Sequence, residues 1–176
     1  MKSFAMLLLA ALVPVVTVRA DDPTTFDVGG LKFTRPTEWK WVEVTSPMRK
    51  AQLKVPGATA EQNADITFFH FGSGGGDVNA NVQRWLMQFK SAEGAEKIEP
   101  QEIAGTKVTL ASTEGTFSSG MPGGPTAALE NYALLGAIIE GPEGNVFVKM
   151  TGPAPMLKAT RAQFLDFITA AIKTKK

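Results

Sequence analysis

Few residues in this chain are able to do chemistry, and their spacing restricts what that chemistry can be. His70 is the only histidine and there is no cysteine. Thiolate zinc sites, iron–sulfur clusters, disulfide scaffolds and cysteine nucleophiles are therefore excluded. A metal on His70 has no second His or Cys to complete its shell, and no DxDxDG-type calcium loop occurs. Ser73 follows closely, but Gly72-Ser73-Gly74 is not the GxSxG elbow that exposes a nucleophilic serine. A hydrolase built on Ser73, His70 and a nearby acid is one functional reading, and it lacks a recognisable constellation. Glu93/Glu96, Glu140/Glu143 and Asp21/Asp22 fall at helix ends, turns or the leader. Paired carboxylates need a rigid separation to act as acid and base, so these read as solvated surface and no catalytic residue is assigned.

Binding is a better match to the side chains present. Asn81, Arg84 and Gln88 recur at i, i+3 and i+7 beside an apolar stripe centred on Trp85. They form either a polar rim, with Arg84 holding a carboxylate bidentately, or a set of structural hydrogen bonds to loop carbonyls. Trp39 and Trp41 alternate onto one side of a short strand. They are either core or, on an open face, a stacking platform. Met121 sits at the centre of Ser118–Pro125, a loop with three Gly and two Pro in eight residues, of the kind that often carries recognition. Gly72–Gly76 opens the Trp85 segment but matches neither GxGxxG nor the P-loop. With Asp77 at the anion position, it reads as a strand-to-helix turn.

These residues must be positioned by the following elements. Phe26–Val28 and Leu31–Thr34 flank Gly29-Gly30 at hairpin spacing. Strands are expected at Trp39–Val44 and Ala51–Val55, and at Ala64–Phe71 with aromatics on both faces, as for a strand covered on both sides. A helix follows from Asp77 to about Ser91, with Asp77 as its N-cap. Ile98–Ile103, Lys107–Phe117, Asn131–Glu140 and Asn145–Thr151 read as strands, and Met156–Lys173 as a final helix. Hairpin-joined strands with two long helices indicate an α+β class: an antiparallel β-sheet with two main helices packed on its faces.

Met1–Ala20 reads as a signal peptide: Lys2, the 13-residue apolar run Phe4–Val16, then Val18-Arg19-Ala20. A spanning helix needs about 20 apolar residues, so no stable membrane insertion is expected. Asp21–Thr25 is expected as a disordered leader, and residues 26–176 as one domain. Beyond Ala20 the chain carries 16 basic and 17 acidic residues. That balance argues against nucleic acid, and a periplasmic or secreted location follows from the signal. No cofactor is called for.

FTRPTEWKW, Pro47-Met48-Arg49-Lys50-Ala51, FFHFGSGGGDVNANVQRW and the ending FVKMTGPAP…FLDFI touch most of residues 26–172. In these blocks the chain resembles the Mog1/PsbP-like fold family, and it is similar to exported proteins of unknown function from planctomycete-type bacteria. The resemblance implies an αβα sandwich and a non-catalytic binding or assembly role in the bacterial envelope. Arg49, inside one block, joins Trp39, Trp41, Asn81, Arg84, Gln88 and Met121 as a candidate binding residue. The expected partner is an envelope protein. The alternative is a small apolar ligand held in a pocket near Trp39, Trp41 and Trp85.

Overall fold

Gly29 and Gly30 both take positive φ, +56° and +75°. That geometry gives the tight reversal between β1 (Thr25–Val28) and β2 (Leu31–Thr34) the twist a hairpin needs. Gly29 is required twice over, because a Cβ there would lie 2.6 Å from Val146 and 2.7 Å from the His70 ring. A computed structural model describes residues 22–119 and 127–174. The signal segment, the centre of the Ser118–Pro125 loop and Met121 lie outside the described residues. The leader's last residues carry hydrogen bonds: Arg35 donates from its backbone to Thr24 and from its guanidinium to Pro23 and Asp22.

The remaining strands are β3 (Lys40–Trp41), β4 (Arg49–Val55), β5 (Ala64–His70), β6 (Phe89–Ser91), β7 (Lys97–Ile103), β8 (Thr106–Ser119), β9 (Ala127–Ile139) and β10 (Val146–Pro153). They form one eight-stranded sheet in the order β3-β4-β5-β10-β9-β8-β6, with β7 also paired to β8. Every pairing in the sheet is antiparallel. The helices are α1 (Val78–Leu86) and α2 (Ala154–Lys173). This is the expected α+β architecture, with three main differences in extent. β9 begins at Ala127, four residues before the expected Asn131, because Ala127–Leu129 pairs with Phe117–Ser119, and this takes Ser118 and Ser119 out of the expected loop. The Trp85 helix stops at Leu86, because Phe89–Ser91 pairs with Gly115–Phe117 on the part of β8 that β7 leaves free. Only Lys40–Trp41 of the Trp39–Val44 run joins the sheet; Trp39 stands in the preceding turn, its N–H bonded to Pro36.

The two faces of the sheet are covered differently. The β1–β2 hairpin and the 20-residue α2 lie on one face and seal it with a cluster that includes Phe33, Trp39, Phe68, Phe164 and Met150. On the other face α1 brings Val82, Trp85 and Leu86 against Ala111, Leu134, Ile138 and Phe147. Asp77 caps α1 by accepting from the Ala80 N–H at 2.9 Å. The indole of Trp85 is seated directly on Gly136: a Cβ at that glycine would lie 2.4 Å from the ring.

Candidate functional site

A nine-residue helix is about 13 Å long, too short to cover an eight-stranded sheet. α1 packs over β8, β9 and β10, its cluster reaches β5 only at Phe69, and β3, β4 and the rest of β5 stay uncovered on its side. Register then decides what that open half displays. Lys40, Lys54, Asp65 and Thr151 lie opposite one another in one row across the strands. Gln52, Thr67, Lys149 and Gly136 form the next. Ala51, Leu53 and Val55, alternating with these positions on β4, point into the sealed core. Arg49 reaches onto the open face through a 2.6 Å hydrogen bond from its guanidinium to Gln52 Oε1. Three cations, Lys40, Arg49 and Lys54, thus share the open half with one acid, Asp65, among the described residues, and a fourth, Lys149, stands at its border on β10 beside the end of α1.

Lys149 differs from the other three. It is half-buried, as Lys54 is, but its ammonium alone donates to a side chain of the α1 exit, Gln88 Oε1, and stands 5.5 Å from the centre of the Phe117 ring. Phe117 is itself held between Phe89 and Tyr132, with centroid separations of 4.8 and 6.0 Å. Gln88 is fixed at the exit of α1, where its carbonyl accepts the Ser118 N–H at 2.8 Å. The two ion pairs among the described residues are Lys32–Asp27 and Arg161–Glu99, so Lys149 has no carboxylate partner there. Burial pushes its pKa down to about 8.

The residues nominated from sequence separate into two groups. Gln88 and Arg49 join the open face. Asn81 and Arg84 are engaged elsewhere: Asn81 Nδ2 donates to the carbonyls of Gly75 and Asp77, and Arg84 donates to Asn81 Oδ1 at 2.8 Å. That network ties the start of α1 to the glycine turn. Trp39 is wholly buried, its Nε1 donating to Gln163, and Trp41 packs against the same cluster. Trp85 belongs to the opposite face of the sheet. The expected pocket shared by the three tryptophans is therefore absent, because the sheet itself separates them. Lys149 was not nominated; its one sequence signal is a charge interrupting the apolar run Val146-Phe147-Val148-Lys149-Met150.

His70 directs Nε2 at the Glu143 carbonyl, 3.2 Å away, and so ties β5 to the β9–β10 turn. No group of three or more His, Asp or Glu able to hold a metal occurs among the described residues. Two cavities of about 370 and 350 Å³ lie between α2 and the β7–β8 ribbon, both lined by Glu99 and Arg161, which pair at 2.9 Å. None of the nominated residues lines them. No described helix is long and apolar enough to cross a membrane.

No family model matches the chain, and no curated protein matches it. Solved structures do. The cyanobacterial PsbP (CyanoP) of Synechocystis sp. PCC 6803 superposes with a TM-score of 0.53 at 10% identity, over 90% of this chain and 96% of that one. A Pseudomonas aeruginosa protein of unknown function, PA94, gives 0.47 at 14% identity, over 83% and 93%. The fold is thus PsbP-like: a large antiparallel sheet with two helices packed against it.

Proposed function

We propose that the protein is a non-enzymatic binding or assembly module of the bacterial envelope, and that the open β3–β4–β5 half of its sheet is the recognition surface for an acidic protein partner. One observation carries the reading. A chain with nearly balanced charge gathers Lys40, Arg49 and Lys54 with a single described acid, Asp65, on the half of the sheet face that α1 leaves open, and Lys149 stands at its border. Charge complementarity of this kind steers association and selects partners. Exposed apolar groups border the same face and supply contact area. Phe71 stacks on Phe69, Met48 precedes Arg49, and Met87 precedes Gln88. The apolar leader and its small-residue end support export. The PsbP-like fold supplies the scaffold and does not by itself select the partner.

The test is calorimetric titration of the protein with poly-glutamate and, separately, poly-lysine. Saturable binding of poly-glutamate, weakened by salt and abolished by the double reversal Lys40→Glu/Lys54→Glu, is expected. Equal response to both polymers, or indifference to the reversal, would overturn the reading.

A further inference from the structure

We propose that Lys149 and Gln88 together form a receptor for a single carboxylate, presented by an aspartate or glutamate of the acidic partner. This rests on the reading of the open face given above and adds the atom pair on which recognition turns. An ammonium has three donors. One is taken by Gln88 Oε1, the Phe117 ring lies against the group, and no carboxylate of the described chain neutralises it. Lysine tolerates partial burial best when its charge is paired. The Gln88 carboxamide uses its oxygen on Lys149, which leaves its own N–H donors for an incoming oxygen. A carboxylate docked here would accept from both residues. Met87, exposed and next to Gln88 in the chain, adds apolar contact area for the same partner.

The surroundings favour an outside ligand over an internal one. Asp65, the one acid on this face, lies opposite Lys54 and Thr151, one row away from Lys149, and accepts from Gln52 Nε2 at 3.4 Å. The charge at Lys149 is therefore uncompensated among the described residues while the rest of its environment is ordered. The stacked Phe89, Phe117 and Tyr132 rings hold one side, and the Gln88 backbone is fixed to β8. Such pre-organisation reduces the ordering cost of binding.

The experiment measures the affinity of the full chain for a peptide of alternating Glu and Ser, with the Gln/Ser peptide as control. Lys149→Met should weaken binding of the Glu peptide about tenfold or more, as loss of a charged, partly desolvated hydrogen bond does. Lys54→Met, which removes an ordinary cation of the same face, should weaken it only about two- to threefold. Gln88→Glu places the missing carboxylate inside the chain. It should also reduce binding about tenfold while raising the melting temperature, which a merely structural role for Gln88 would not produce. If Lys149→Met and Gln88→Glu weaken binding no more than Lys54→Met does, the receptor is overturned while the wider face stands. If the wild-type protein does not distinguish the Glu from the Gln peptide, both readings fall.

Discussion

Trp39 and Trp85 anchor opposite faces of one sheet, and their surroundings differ in a way that bears on function. Trp39 lies between a hairpin and a 20-residue helix, where rings of Phe26, Phe33, Phe68 and Phe167 also meet at 5.1–6.1 Å. Trp85 rides on a nine-residue helix whose contact with the sheet depends on the absence of a side chain at Gly136. The first face has two covering elements and becomes the main core. The second has one short element, so half of it stays in water and is free to be polar. An antiparallel sheet commonly solvates one side; here the solvated part is cationic and includes one lysine drawn partly inside.

The comparison breaks most readily at the tryptophans. Trp39→Ala should cost about 4–5 kcal/mol and Trp85→Ala about 3, since the smaller cluster is better able to relax around the lost ring. Urea unfolding of both variants checks this, and equal costs would mean that the two faces contribute alike. Next in size is the burial of Lys149. Its folded-state pKa of about 8 lies below the ordinary 10.5, so between those values the unfolded chain binds more protons and stability rises with pH. Below about pH 8 the penalty is present in full, up to about 3 kcal/mol. The other ionisable groups facing Lys149 are Asp65 and Tyr132 on the flanking strands, and Arg84 is the charged residue of α1. Lys149→Met should therefore be more stable than wild type at pH 7, with the advantage shrinking by pH 10; a constant difference between the two pH values would remove burial as the cause.

Gly136→Ala should cost about 2 kcal/mol by forcing the Trp85 ring off its seat, read as a loss of near-ultraviolet tryptophan dichroism together with stability. An unchanged spectrum would show that α1 shifts freely. Arg84→Ala is the mildest, at about 0.5 kcal/mol, because an exposed side chain bonded to Asn81 is all that is lost. If it abolished peptide binding, recognition would extend over α1 and would no longer be confined to the open face.

Local patterns carried most of the element assignments. The two glycines of the first hairpin, the Asp77 cap and the spacing of Val82, Trp85, Leu86 and Phe89 each act through neighbours a few residues away, so each is legible along the chain. The same periodicity misplaced the end of α1, because Phe89 serves equally well on a helix stripe or in a strand, and only the free edge of β8 decides between them. Gln88 was legible as a polar group beside the stripe. Its partner was not, since Lys149 lies 61 residues away and reaches it only when β10 is placed between β5 and β9.

By itself the amino-acid order determined the class of fold, the hairpins and the capped amphipathic helix. Tertiary structure alone decided which strand faces meet a helix and which meet water. The reason is that alternation marks two faces on every strand without saying what will be laid against either. That depends on helix length and strand order, properties of the assembled sheet, and here they brought Lys40, Arg49 and Lys54 together on the half left open, with Lys149 and Gln88 at its border.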